Sequence, residues 1–196
     1  MPADAPRDAA AGATASPSSP PSRPPIGDLW TALAGVPDPE IPAVSVIELG
    51  ILRGVEWDAA DPDTLVVTVT PTYSGCPATE LIMASIGEAM TAAGVARVRI
   101  ETRLAPAWTT AWITPEGRRK LREYGIAPPD GVRAVNASAA IDVTGISPLR
   151  RAGAAVPCPR CGSAATRLLS QFGSTACKAH YRCLDCLEPF DYFKPH

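Results

Sequence analysis

Two Cys-x-x-Cys pairs lie near the end of the chain, with 21 residues between them: Cys158 with Cys161, and Cys183 with Cys186. A Cys-x-x-Cys turn directs two sulfurs toward one centre, and a tetrahedron of four thiolates is a preferred structural site for zinc. A segment of about forty residues buries too little apolar surface to fold by itself, so bound metal would have to supply folding free energy. We therefore expect residues 156–196 to form a small β zinc ribbon.

Two features leave alternatives open at this site. Cys177 and His180 form a third pair at ligand spacing, so six side chains compete for four positions. Neither residue lies in a knuckle turn, because the pattern places both in a strand over 176–182, which would pair with a strand over 165–172. Four thiolates also hold iron in rubredoxins, but only Cys161 is followed by glycine, which favours zinc.

Cys76 stands apart from this set and follows a loop rich in hydroxyl groups. Pro77 suits the first position of a helix, which predicts Cys76 as the N-cap of a helix over 77–93. The positive end of a helix lowers the pKa of a thiol, as expected for a reactive or iron-ligating cysteine. A lone cysteine beside a strand is also commonly a small buried apolar residue. Both interpretations stay open on local sequence.

The sequence contains no phosphate-binding loop, no Glu-x-x-His di-iron motif and no nucleophile elbow. The two histidines, His180 and His196, are distant in sequence from Cys76. We therefore do not expect an enzyme that acts alone.

The elements that must position these residues follow a simple order. Apolar spacing predicts a helix at 26–35, and the prolines of Pro37-Asp38-Pro39-Glu40-Ile41-Pro42 end it in a stiff turn. Thr114 and Pro115 have the residue types of an N-cap and first helical position. The remaining predicted elements are a hairpin of strands 51–57 and 64–70, the helix at 77–93, a strand at 95–104, and a helix from Thr114 to Gly125. This order predicts an α+β domain over 26–125, with a helix layer on a sheet.

The composition limits what surrounds this domain. Residues 1–25 contain seven prolines among Ala and Ser, which predicts a disordered tail. Residues 126–155 have the composition of a linker, with a short extended piece at Ile141–Val143. No apolar run is long enough for a signal peptide or a membrane span, and paired cysteines that hold metal suit a reducing cytoplasm. With a net charge of −2, and only +2 within the ribbon, nucleic-acid binding is not expected.

Several motifs together carry a resemblance to known families. Asp38-Pro39-Glu40-Ile41-Pro42, Ile47-Glu48-Leu49-Gly50-Ile51 and Cys76-Pro77 resemble the small domain of iron–sulfur assembly and targeting factors. More specific is the combination of Pro106-Ala-Trp108-Thr-Thr-Ala-Trp112 and Gly125-Ile-Ala-Pro-Pro with the tail. The tail motifs are Cys158-Pro-Arg-Cys161, Phe172-Gly-Ser-Thr-Ala-Cys177-Lys and Glu188-Pro-Phe-Asp-Tyr-Phe. Nearly everything after residue 25 resembles the D-subunit family of bacterial phenylacetyl-CoA ring 1,2-epoxidases.

The resemblance implies an accessory or maturation component of a multicomponent di-iron monooxygenase in aerobic phenylacetate catabolism. Its partners would be the other epoxidase subunits, which carry the di-iron centre, the substrate site and the reductase, and also iron–sulfur assembly proteins. Cys76 would be the functional thiol, a transient site for iron or an iron–sulfur cluster, with Asp38 and Glu40 as possible neighbours. A second role for Cys177 stays open. The alternative function is a general iron–sulfur carrier that serves many clients of the SUF pathway.

Overall fold

The computed structural model describes residues 23–129 and 156–195. Of the expected linker over 126–155, residues 130–155 with the extended piece at Ile141–Val143 lie outside the described residues, as do residues 1–22 of the expected tail over 1–25. The helices are α1 (Ile26–Ala34), α2 (Thr79–Ala92) and α3 (Pro115–Glu123), with a 3-10 turn at Thr110–Trp112. The strands are β1 (Leu52–Trp57), β2 (Thr64–Val69), β3 (Arg97–Thr102), β4 (Ile126–Ala127), β5 (Thr166–Ser170), β6 (Lys178–Cys183) and β7 (Pro189–Phe193).

The first sheet has the strand order β1-β2-β3. β1 and β2 form the expected antiparallel hairpin, and β3 returns parallel to β2 after α2. The predicted stripe of α2 is buried at Ile82, Ile86 and Met90. These side chains join Leu65 and Val67 of β2 in one core with α1. The α+β layers predicted from the sequence are therefore confirmed.

The loop between α1 and β1, which carries Asp38 and Glu40, is held by backbone and side-chain contacts. The Asp38 amide donates to the carbonyl of Val44 at 2.9 Å. Further along the loop, the carbonyl of Glu48 accepts from the amide of Thr114 at 2.9 Å, and Lys120 Nζ lies 2.6 Å from Glu48 Oε1. As predicted, Thr114 caps α3, since its side chain accepts from the amide of Gly117 at 2.9 Å. The capped helix thus fixes one end of the loop.

The second sheet is the ribbon, with the order β4-β7-β6-β5. Two of its strands lie where the sequence predicted them, but β7 was not anticipated. Ile126–Ala127 were placed in the linker, and this placement is wrong, because these residues form β4 and pair in parallel with Asp191 and Tyr192 of β7. Their buried side chains extend the ribbon sheet directly after α3, and the β-branched Ile126 favours a strand.

The ribbon and the α+β domain share one apolar core. Phe193 of β7 is 1% exposed, and its ring centroid lies 5.9 Å from that of Trp108. Cys177 and Phe193 belong to the same buried cluster as the residues of α1, α2 and the first sheet. The independent folding of residues 26–125, which their apolar stripes predict, stays a prediction. Within residues 23–129 and 156–195, no helix is long and apolar enough to cross a membrane.

Candidate functional site

The ribbon holds its four predicted cysteines around one point. The sulfurs of Cys158 and Cys186 lie 3.8 Å apart, and those of Cys161 and Cys183 lie 3.6 Å apart. All four sulfurs lie within 4.8 Å of one another. A tetrahedral zinc ion with bonds of about 2.3 Å requires sulfur–sulfur distances of about 3.8 Å. Both measured pairs match this spacing, so the arrangement fits a four-thiolate zinc site.

The chain folds locally so that each knuckle points inward. In the first knuckle, the Gly162 amide donates to the carbonyl of Cys158 at 2.9 Å, with Gly162 at a positive φ of 76°. In the second, the amide of Cys186 donates to Cys183 Sγ at 3.5 Å. This hydrogen bond is the leading cause that lowers the pKa of the Cys183 thiol to about 7, which favours the thiolate that a metal needs. Ser163 Oγ donates to a carboxylate oxygen of Asp185 and links the two knuckles.

The two competing ligand candidates lie elsewhere. His180 lies in the middle of β6, and its Nδ1 is 3.1 Å from Oδ1 of Asp191 in β7. Cys177 immediately precedes β6 and is buried against the α+β domain. Among the described residues, Cys158, Cys161, Cys183 and Cys186 are the one group of three or more His, Cys, Asp or Glu gathered at metal-binding distances. The four knuckle cysteines are therefore the ligand set that the geometry supports.

Cys76 does not occupy the helix position predicted for it. The N-cap of α2 is Ala78, and α2 begins at Thr79. Cys76 is instead the first residue of a tight turn, in which the amide of Thr79 donates to the carbonyl of Cys76 at 3.2 Å. Pro77 is the second residue of this turn rather than the first residue of the helix, so the N-cap prediction is wrong. The half-buried side chain of Cys76 packs against the edge of the core.

Asp38 lies beside Cys76 in the folded chain. The two residues line a cavity of about 10 Å³, together with Thr72 and Thr79. Asp38 Oδ1 accepts from the amides of Glu40 at 2.9 Å and Ile41 at 2.8 Å. Burial nevertheless raises the pKa of the Asp38 carboxyl, against the effect of these two hydrogen bonds. A buried carboxyl group thus lies across a small cavity from a thiol.

The ribbon brings a second thiol to this region. Sγ of Cys177 lies 4.0 Å from Oε2 of Glu40, and Thr175 Oγ1 lies 3.0 Å from the same sulfur. Burial is the leading cause that raises the pKa of the Cys177 thiol. Burial also raises the pKa of the Tyr73 hydroxyl, and so do the nearby thiolates of Cys76 and Cys177, which places Tyr73 within electrostatic reach of both. Asp38, Glu40, Tyr73, Cys76 and Cys177 are named the thiol–carboxylate cluster below.

A buried lysine adjoins the thiol–carboxylate cluster. Lys178 is 4% exposed, and its Nζ lies 3.8 Å from Asp191 Oδ2. Its positive charge lowers the pKa of both Asp38 and Cys177, so it opposes the effect of burial on each. No sequence pattern singled out Tyr73 or Lys178 as site residues. Lys178 is the first residue of β6, and its burial could not be predicted from local sequence because a lysine is seldom fully buried without a partner.

A larger open cleft of about 500 Å³ lies away from the cysteines. It is lined by Trp30, Thr68, Arg103 and other residues, and Arg53 Cζ stacks 3.6 Å from the ring centroid of Trp112. A guanidinium at this distance is stabilised by the ring quadrupole. The cleft contains none of the thiols that the sequence singled out.

Two family models match separate parts of the chain. A family model described as iron-sulfur cluster assembly protein matches residues 27–101, and one described as PaaD zinc beta ribbon domain matches residues 145–194. A protein of Escherichia coli (strain K12), described as the putative D subunit of 1,2-phenylacetyl-CoA epoxidase, is 47% identical over 169 residues. That alignment covers 86% of this chain and 92% of the relative.

Three solved structures resemble the first part of the chain. A domain of unknown function from Bacillus anthracis is 24% identical, with a TM-score of 0.43, over 48% of this chain and 89% of that one. A conserved hypothetical protein from Thermotoga maritima is 30% identical, with a TM-score of 0.43, over 50% and 95%. A Mycobacterium tuberculosis protein associated with Fe-S complex assembly and repair is 30% identical, with a TM-score of 0.32, over 51% and 85%.

This chain thus matches the Escherichia coli relative along nearly all of that relative's length. It contains both the loop with Cys76 and the ribbon with its four cysteines. Along the chain, the match to the assembly module comes first and the match to the ribbon comes second. The chain, in which an iron-sulfur cluster assembly module is followed by a zinc ribbon, belongs to the family of 1,2-phenylacetyl-CoA epoxidase D subunits.

Proposed function

We propose that this protein is a maturation subunit of a multicomponent phenylacetyl-CoA 1,2-epoxidase, and that Cys76 is its functional thiol. Its cargo would be iron or an iron–sulfur cluster destined for the oxygenase or its reductase. The observation that carries the proposal is the position of Cys76 across a small cavity from the buried carboxyl of Asp38, within the iron–sulfur assembly module. A thiolate and a carboxylate are both ligands of iron.

The ribbon has a different part in this proposal. Its four thiolates hold one zinc ion that has no open position for a substrate, so the metal stabilises the fold. Within the described residues, the single histidine is His180, which is paired with Asp191 rather than placed near Cys76. In this proposal the protein catalyses no oxidation itself, and the partner subunits catalyse the epoxidation.

The test is complementation of a strain that lacks the gene. The strain receives the wild-type protein or Cys76→Ser, and growth on phenylacetate is measured beside the iron content of the separately purified oxygenase and reductase. We expect the variant to fold, to hold zinc and to fail to restore growth, with one of the two enzymes depleted of iron. Normal growth with normal iron content in both enzymes would contradict the proposal.

The same experiment separates a dedicated factor from a general iron–sulfur carrier. A dedicated factor affects the oxygenase or its reductase and leaves unrelated iron–sulfur enzymes, such as aconitase, at wild-type activity. Loss of activity across such enzymes would favour the general carrier of the SUF pathway. The chain favours the dedicated role, because the ribbon that it carries matches a model specific to this family.

A further inference from the structure

The open cleft of about 500 Å³ shares no lining residue with the zinc site or the thiol–carboxylate cluster. It is bordered by α1, the first sheet and the 3-10 turn, which contribute Trp30, Thr68 and Trp112. Its volume lies within the range of about 300–1,000 Å³ that is usual for small-molecule sites. Its lining includes two arginines, one glutamate and two threonines, which suit a charged ligand better than an apolar one.

A β-bulge in β1 turns Arg53 toward this cleft. Leu52 pairs with Val69 of β2. The next pair joins Gly54 to Thr68, so Arg53 has no partner on β2. The buried positions of β1 are consequently three residues apart at this point instead of two. Bulges occur often beside binding sites, because the extra residue changes the direction of a side chain.

The ring of Trp112 holds the guanidinium of Arg53, whose Cζ lies 3.6 Å from the ring centroid. Gly50, at a positive φ of 69°, lies so close to Trp112 that an added Cβ would be 2.6 Å from Trp112 Cβ. The amide of Trp112 also donates to the carbonyl of Thr109 at 3.0 Å. The backbone thus fixes the position of the ring, and the ring quadrupole stabilises the cation above it.

The charge of Arg53 is not neutralised by a neighbouring acid. Among the residues that the structure describes, its guanidinium contacts the Trp112 ring and forms no ion pair. The ring covers one face of the guanidinium, whereas the N–H groups point outward in its plane and can still donate to a ligand. Because the side chain is already ordered, it loses less entropy when it binds an anion.

Further polar groups line the same cleft. Arg103 is exposed, and its ion pair with Glu101 is long at 3.8 Å. Thr68 and Thr70 contribute hydroxyl groups. Glu56 is the one carboxylate among the described lining residues, so two arginines and one glutamate leave one net positive charge. The cleft therefore favours an anion and also offers an acceptor for a hydroxyl or amino group.

We propose that this cleft binds a phosphate ester of about nucleotide size, with its phosphoryl group on the guanidinium of Arg53. A phosphoryl group has three acceptor oxygens and a charge of about −1.5 to −2, so it can use the second arginine and the threonine hydroxyls. A carboxylate is already satisfied by one bidentate guanidinium, which makes it the weaker candidate. The cleft is much larger than a phosphate ion, and Glu56 accepts from the remainder of the molecule.

The experiment titrates ADP, inorganic phosphate, adenosine and phenylacetate separately into the zinc-loaded, full-length protein labelled with ¹⁵N. The indole N–H signals of the four tryptophans report where each probe binds, and tryptophan-to-phenylalanine variants assign them. We expect ADP to shift the signals of Trp30 and Trp112 with saturation. Trp108 is the internal control, because it is 4% exposed and its Nε1 donates to the carbonyl of Leu49.

The test variant is Arg53→Gln, which removes the charge of an exposed side chain. Its affinity for ADP should be about 10- to 100-fold lower, the loss expected when a charged hydrogen bond is removed. The matched control is Arg97→Gln, since Arg97 belongs to the same sheet, pairs with Asp61 at 2.6 Å and lies outside the cleft. It makes the same change in net charge and should retain ADP affinity within about twofold, because salt screens distant surface charges.

The four probes and two variants distinguish the possible results. Equal losses in Arg53→Gln and Arg97→Gln would show non-specific attraction and overturn the site. ADP that binds no more tightly than inorganic phosphate would overturn the nucleotide-sized ligand, and tighter binding of phenylacetate would overturn the phosphate. Absence of saturable shifts at Trp112 with ADP would overturn the proposal as a whole. The cleft contains no thiol, so none of these results depends on the function proposed for Cys76, which growth on phenylacetate tests separately.

Discussion

Replacement of Phe193 by alanine tests whether the ribbon and the α+β domain form one cooperative unit. The side chain is 1% exposed, lies in the shared core and packs on Trp108 with a centroid distance of 5.9 Å. Truncation of a buried phenylalanine costs about 3–5 kcal/mol, which includes lost burial, the cavity left behind and the aromatic pair. For a chain of this size, about 2–4 °C is lost per kcal/mol, so we expect the melting temperature to fall by about 6–20 °C.

The matched control is Phe172→Ala, because Phe172 belongs to the same ribbon but is 67% exposed. An exposed substitution of this kind changes stability by about 0.5 kcal/mol or less. The assay is urea unfolding of the zinc-loaded protein, followed by tryptophan fluorescence and by zinc release to a chromogenic chelator. The two transitions should coincide in the wild type and in Phe172→Ala, and should separate in Phe193→Ala as the ribbon undocks. Equal effects of the two substitutions, or separate transitions in the wild type, would refute the shared core.

Three further predictions concern the cysteines and Asp38. Cys158→Ala and Cys186→Ala should each lose both the zinc ion and the ribbon fold, because either change opens the tetrahedron of thiolates. Elemental analysis measures the zinc and circular dichroism measures the fold. Cys177→Ser should keep one zinc per chain. A red, iron-containing wild type would contradict the zinc assignment, and full zinc in Cys186→Ala would contradict the ligand set. Cys76→Ser should keep the wild-type melting temperature within a few degrees, since a half-buried thiol is replaced by a hydroxyl of similar shape, and should still abolish growth on phenylacetate; a large loss of stability would instead support a packing role. Asp38→Asn keeps the acceptor for the amides of residues 40 and 41, whereas Asp38→Ala leaves both donors unpaired and should cost about 1–3 kcal/mol more. Because burial raises the pKa of Asp38, the native state binds more protons than the unfolded chain once the pH rises above the unfolded pKa. The free energy of unfolding of the wild type should therefore fall relative to that of Asp38→Asn over this interval. Melting temperatures of the two proteins that change in parallel from about pH 4 to 7 would contradict this sign.

The elements and the metal ligands could be predicted largely from local sequence. The spacing of Ile82, Ile86 and Met90 predicts one face of a helix, and this face is buried in the structure. The residue types at Thr114 and Pro115 predicted a helix start that the structure contains. The knuckle cysteines could be identified because a Cys-x-x-Cys turn imposes its geometry over four residues, and no distant contact is needed to orient the two sulfurs.

The position of Cys76 shows where local signals mislead. Proline favours the first position of a helix, but it also favours the second position of a turn, and the sequence alone does not distinguish the two. In the structure Pro77 is the second residue of the turn that precedes α2, and the helix begins at Thr79. The short strand at Ile126–Ala127 was missed for a related reason, since two residues carry no periodicity and pair only because β7 lies beside them.

By itself the sequence determined two layers of helix and sheet, a four-cysteine ribbon and a separate thiol at Cys76, because each depends on residues close together in the chain. Only the tertiary structure decided that Cys177 lies outside the zinc site and contacts Glu40. It also decided that Lys178 is buried next to Cys177 and that Phe193 belongs to the core of the first domain. These contacts join the ribbon to residues far earlier in the chain. They arise because the Phe193 side chain is buried more completely against Trp108 than the small ribbon could bury it alone.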